Sequence, residues 1–288
     1  MELGELLRNL REERGISQSR LAKDICNRST LSAYENEGKD IPFLKLAQML
    51  ERMNVKVEEF IFQLDLEQGE NSELESEFHD LFNSNKKILD ARMNDLLNLY
   101  TKTKNIFYLA LYVDILAGKV GKKEVPLEQV LLQEAKQLQL LRNHLDKVET
   151  WGLFEIGTFI NAVHLLDESF VIHHVDSVIE SIKKRKKSKL YDGALERMLI
   201  NFIFYFMEKR NFHTADFLVK KFERLIVKPS QVYEKTMLIY FQGILDFFEG
   251  ELDKGREQIE RAICVFELIE EKNGMEELRG FFNSLQRK

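Results

Sequence analysis

The sequence predicts an all-α chain in two parts, and three observations carry that reading. Only three of its 288 residues are proline. Apolar residues recur at the i, i+3, i+4, i+7 spacing of amphipathic helices almost from end to end, without strand signals. The length exceeds that usual for one domain, so two domains are the first expectation. A hydrophobic content of 44% and a charged content of 31% describe an ordinary globular chain, not a disordered one.

The elements follow in order. Leu3, Leu6, Leu7 and Leu10 give the stripe of a first helix, stopped at Gly15. In SQSRLA, Ser17 is a helix N-cap and Leu21, Ala22 and Ile25 turn inward. Residues 26–38, CNRSTLSAYENEG, hold a helix of about two turns whose first turn carries Arg28, Ser29, Thr30 and Ser32, with Leu31 and Tyr34 on its apolar side. A helix so short cannot stand alone. Leu44, Leu46, Ala47 and Leu50 mark a fourth helix, and Val57, Phe60 and Ile61 a fifth. Five short helices, the second and third joined by a tight turn, describe a helix-turn-helix domain over residues 1–64.

The net charge of −6 argues against a surface that grips nucleic acid everywhere. Between Arg14 and Arg28, however, Arg14, Arg20, Lys23 and Arg28 face only Asp24. Taken alone, RSTLS reads as a capped surface helix without a partner. Set within five correctly spaced helices, it reads as a DNA-facing element. GISQSRLAK, RSTLSAYENEG and FLKLAQMLERMNVKVEEF resemble the Xre/Cro type of DNA-binding domain. That resemblance implies that Arg28, Ser29, Thr30 and Ser32 enter the major groove of operator DNA and that Gln18 and Ser19 hold its phosphate backbone. Arginine can pair bidentately with guanine, and hydroxyls suit several base edges. The resemblance also implies a structural ion pair between Arg11 and Glu35. Here the usual Glu-Asn-Gly ending is Glu-Asn-Glu-Gly, which lengthens the following loop.

Residues 65–77, acidic and polar from Glu67 to Glu77, read as a linker, and residues 78–288 as a domain of helical repeats. A repeat emerges at a spacing of 40: Trp151 answers Tyr191, Asn161 answers Asn201, Leu165 answers Tyr205, and Ile182 answers Phe222. Val175, Ala215 and Gly255 share one register, small enough for close helix contact. NFHTADFLVKKF and GELDKGREQIERAI look like second halves of tetratricopeptide repeats, degenerate because their period exceeds the usual ~34 residues. Such stacks present a concave face suited to an extended peptide.

Asn161 and Asn201 lie among apolar neighbours in the sequence, where an unpaired buried amide would cost roughly 1–3 kcal/mol. Either they are core asparagines satisfied internally, or they form a groove floor that bonds a peptide main chain. Tyr205 and Tyr233 are further candidates for side-chain contact with that peptide.

WGLFEIGTFINAVHLL and YFQGILDFFEGELDKGREQIERAICVFEL, behind SRLAKDICNRSTLSAYENEGKDIPF, resemble Rgg-type regulators, similar also to PlcR and PrgX. The resemblance implies a quorum-sensing transcriptional regulator that binds operator DNA as a homodimer and is controlled by a short peptide pheromone. The rival reading keeps the helix-turn-helix but gives the helical half only dimerisation or docking of a protein partner. An antitoxin-like module is a more distant class, one that rarely needs two hundred extra residues.

Other features carry less. Cys26 and Cys264 read as free, buried thiols of a reducing cytoplasm. No run of about 18 apolar residues occurs and the N-terminus is charged, so neither a membrane span nor a signal peptide is expected. The run Lys183-Lys184-Arg185-Lys186-Lys187 reads as a solvated loop. His173-His174 lacks the spacing of a metal pair, and no phosphate loop or nucleophile motif is present. Neither enzyme activity, nor a cofactor, nor a metal is expected.

Overall fold

The computed structural model describes residues 2–64, 73–74, 76–80, 86–184, 191 and 193–287. Most of the expected linker, and the basic run beyond Lys184, lie outside the described residues. Every regular element among the described residues is helical. The chain divides into two compact units, Met1–Arg92 and Met93–Lys288.

The first unit opens with α1 (Leu3–Glu13), α2 (Gln18–Ala22) and α3 (Arg28–Asn36), followed by α4 (Phe43–Arg52) and α5 (Val57–Gln63). Leu6, Leu7, Leu10, Leu21, Leu31, Met49, Leu50 and Phe60 form its core. Ser17 caps α2 by accepting from the Arg20 N–H at 3.3 Å. A Cβ on Gly4 would overlap the Tyr34 carbonyl, so only glycine lets α1 lie this close to α3. Arg14, counted above in the local excess of positive charge, donates to the carbonyls of Met53 and Leu10 at 3.1 and 3.0 Å. Arg52 donates to the carbonyls of Arg20, Leu21 and Lys23, closing the open end of α2.

The fourth and fifth helices form as expected, though two of the residues that mark them face outward, and the reading of the cysteines as buried thiols is corrected. Leu44 is 75% exposed and Ile61 sits at the surface. Leu46, Met49 and Leu50 form the buried stripe of α4, and Leu44, two residues before Leu46, points about 200° away from it. Cys264 is exposed and Cys26 half-buried, so neither is a core thiol.

Helix α6 (Lys86–Thr103) contains the unit boundary. Beyond it the second unit runs through α7 (Ile106–Gly121), α8 (Leu127–Gln133), α9 (Ala135–Lys147), α10 (Leu153–Asn161) and a 3-10 turn at Val163–Leu165. It continues with α11 (Glu168–Lys184), α12 (Ala194–Glu208), α13 (Phe212–Glu223), α14 (Val232–Glu249), α15 (Leu252–Leu268) and α16 (Lys272–Gln286). From α11 to α16 consecutive helices pack as neighbours, α14 against α15 most extensively. The alternate helices α10, α12 and α14 are tied by rings: Phe159 meets Phe202 at 4.9 Å, and Phe204 meets Phe241 at 4.9 Å.

The small-residue register falls inside these contacts, with Val175, Ala215 and Gly255 all buried. At Gly255 the reason is geometric. A Cβ there would stand 2.6 Å from both the Gly243 carbonyl oxygen and the Phe247 nitrogen. Two glycines facing each other set the spacing of α14 and α15.

Candidate DNA and peptide interfaces

The first unit builds its site on a buried ion pair. Glu35 on α3 accepts from Arg11 Nε and Nη2, both at 2.7 Å, and from Gln18 Nε2 at 2.9 Å. Arg11 also donates to the Ile16 carbonyl at 2.9 Å. The Glu35 side chain is 0% exposed and that of Arg11 8%. The hydrogen bonds that Arg11 donates to Glu35 raise the Arg11 pKa above its ordinary value, despite the opposing effect of burial. This pair fixes α1 against α3 and, through the bond that Gln18 donates to Glu35, holds the first turn of α2 beside them.

Around it opens a cleft of about 380 Å³, whose lining includes Arg8, Ser17, Gln18, Ser19, Arg28 and Asn36. The structure therefore brings Gln18, Ser19 and Arg28 together at one surface. At about 100° per residue, Arg28, Ser29, Ser32 and Asn36 share the exposed side of α3. Thr30 is half-buried and turned away, toward the side of Ala33.

Asn36 and Arg8 were missed from the sequence. Asn36 donates to the Ser32 carbonyl at 2.8 Å and to its hydroxyl at 3.2 Å, and accepts from Arg8 Nη1 at 3.1 Å. The i, i+4, i+8 spacing of Arg28, Ser32 and Asn36 was the available signal. Arg8 also donates to Glu12 at 3.0 Å, which holds that exposed carboxyl below its ordinary range.

In the second unit Asn161 and Asn201 are exposed, not buried among their apolar sequence neighbours. Asn161 ends α10, beside Gly157 on the open side of that helix. Asn201 lies mid-way along α12, and one N–H of its amide goes to the Arg197 carbonyl at 3.0 Å. The second N–H and the amide oxygen have no partner among the described residues. Each amide thus stands on the open side of an alternate helix, one repeat apart.

The two tyrosines do not join them. Tyr205 is 1% exposed and its hydroxyl donates to the Leu166 carbonyl at 3.0 Å. Burial pushes that hydroxyl's pKa upward, and the side chain is spent on packing. Tyr233 is 52% exposed, but its ring meets Phe266 of α15 at 6.2 Å. It lies about 200° around α14 from Lys235, which marks that helix's open side. Neither tyrosine belongs to the face that carries the amides.

Comparison with known proteins adds the family. Residues 7–60 match the helix-turn-helix family model. Residues 126–279 match the model described as HTH-type transcriptional regulator Rgg, C-terminal domain. A search of curated protein sequences finds no match.

Among solved structures, the chain is similar to the SHP pheromone receptor Rgg2 of Streptococcus dysgalactiae. The TM-score is 0.78 at 20% identity, over 98% of this chain and 99% of that one. It is similar to a candidate transcriptional regulator from Listeria monocytogenes EGD-e, with TM-score 0.81 at 19% identity over 99% and 97%. It is similar also to PrgX in its complex with iCF10, with TM-score 0.78 at 16% identity over 99% and 96%. At these identities the likenesses establish the fold. The Rgg match covers more than half of the chain, and this chain belongs to the Rgg family of helix-turn-helix transcriptional regulators.

Proposed function

We propose that this chain is a quorum-sensing regulator that binds operator DNA as a homodimer and is controlled by a short peptide held on the open side of α10 and α12. The division of labour places DNA binding in residues 1–64 and peptide binding with dimerisation in residues 78–288. One observation carries the reading: Asn161 and Asn201, one repeat apart, both present amides on exposed helix faces. Main-chain hydrogen bonds to such amides give affinity for an extended peptide, while neighbouring side chains choose its sequence.

Two solved relatives support it by their own descriptions, one a pheromone receptor and one a pheromone complex. The homodimer follows from economy of contact: one short recognition helix reads too few bases, and paired half-sites about one helical turn apart supply the rest. No described helix is long and apolar enough to cross a membrane, which agrees with a cytoplasmic regulator. The chain acts by binding and not by catalysis.

The test combines selection of bound fragments from the host genome with gel shift, repeated with synthetic short peptides from culture supernatant. A peptide should change operator affinity in the wild type and have no effect in an Asn161→Ala, Asn201→Ala double variant. Operator binding indifferent to every peptide would instead favour a helical half that only dimerises or docks a protein.

A further inference from the structure

Arg197 is an exposed cation with no structural task among the described residues. It stands one helical turn before Asn201, on the same open side of α12 that continues to Glu208. Its guanidinium lies back toward Gly193 and makes no ion pair with any described residue. As the fourth residue of α12 it also opposes the helix dipole, whose N-terminal end disfavours cations. The acid that suits that dipole is its neighbour Glu196, which turns away and accepts from Gln231 Nε2 at 3.3 Å. Lys235 repeats the arrangement, being the fourth residue of α14 and exposed. Glu208 and Glu249 end α12 and α14 as exposed acids, again against the dipole. Within this face the charges therefore run opposite to what helix stability favours, and Arg197 is the one placed beside an amide.

We propose that Arg197 is the carboxylate-recognising residue of the peptide face. A peptide whose main chain is held at Asn161 and Asn201 sets a carboxylate against the Arg197 guanidinium, about one helical turn from the Asn201 contact. The planar fork of arginine matches a carboxylate with two parallel hydrogen bonds. On a chain of net charge −6, a carboxylate-bearing peptide meets a repelling field, and a local cation supplies the reason for it to settle here. The proposal rests on the peptide-binding reading above and adds a charge requirement to it. The carboxylate can be the peptide's own C-terminus or an acidic side chain.

The experiment uses the full-length chain and octapeptide mixtures of Leu, Ile, Val and Phe that carry an uncharged dye at the N-terminus. Three forms are titrated by fluorescence anisotropy: free C-terminal acid, C-terminal amide, and amide with one internal Asp. The chains are wild type, Arg197→Gln, and the Asn161→Ala, Asn201→Ala double variant, each checked by melting temperature. In the wild type the acid should bind about tenfold tighter than the amide, the scale of one charge-assisted contact. Arg197→Gln should reduce that gap to within about twofold and leave the amide unchanged, whereas the double variant weakens every form. Recovery of tight binding by the Asp-bearing amide also supports the proposal and assigns the carboxylate to a side chain. Equal binding of all three forms to the wild type, still lost in the double variant, overturns the role of Arg197 and spares the amide face. A gap that survives in Arg197→Gln overturns it too. No binding of any form to any chain overturns both readings.

Discussion

Arg11→Ala should destabilise the first unit alone, and the structure sets the scale. Glu35 is fully buried and accepts three hydrogen bonds, two of them from Arg11. The substitution leaves a buried carboxylate with only Gln18 as donor. Stranding one member of a buried pair typically costs about 3–5 kcal/mol. A unit of this size, residues 1–92, is stable by roughly 5–14 kcal/mol at the usual ~0.05–0.15 kcal/mol per residue. With a urea slope of about 1 kcal/mol/M, the midpoint should fall by roughly 3 M or more.

The chain supplies its own control. Its single tryptophan, Trp151, is 1% exposed and lies in the second unit. Far-UV circular dichroism reports both units, while Trp151 fluorescence reports the second. The expected result is an earlier transition by circular dichroism with an unmoved fluorescence transition. Loss of operator affinity should follow loss of folded first unit and no more. An Arg11→Ala variant with wild-type unfolding and weakened DNA binding would refute the reasoning and make Arg11 a DNA contact.

Arg28→Ala should cost about 1–3 kcal/mol and relax base preference at one position of each half-site, whereas Gln18→Ala should weaken all sequences alike; gel-shift titration against operator and scrambled duplex separates them. Asn201→Ala should cost about 1–2 kcal/mol of peptide affinity by calorimetry and leave peptide-free DNA binding near wild type. Gly255→Val should lower the Trp151-monitored stability by about 1–3 kcal/mol or more, because its side chain would overlap the backbone of α14. Asp167 accepts from the Phe170 N–H at 2.8 Å and the Ser169 hydroxyl at 2.6 Å at the start of α11, and its carboxyl is held below the ordinary range chiefly by Ser169. Asp167→Ala should cost about 1 kcal/mol at neutral pH. A depressed folded pKa means that this stability is present above the unfolded value and fades as pH falls through the folded one. The gap between wild type and variant in urea titrations should be full at neutral pH and narrow steadily as pH falls below the ordinary carboxylate range.

The local order of this protein was legible in its residues. Leu3 to Leu10, the Ser17 cap, and the periodicity through α16 are near-neighbour effects, decided within a turn or two of helix. The repeat was also legible, because Val175, Ala215 and Gly255 answer one rule of close packing. What tertiary structure alone decided is which side of an almost wholly apolar helix stays open. In α12 the apolar residues surround Asn201 in sequence, and periodicity could not say whether it or Tyr205 faced outward. Packing against the neighbouring helices settled that, burying Tyr205 onto the Leu166 carbonyl and leaving Asn201 beside Arg197 at the surface. The same holds for Leu44 and Tyr233, whose exposure depends on where another helix lies and not on their own positions. Residue spacing fixes the stripes of a helix, but only the partner it packs against determines which stripe is left for a ligand.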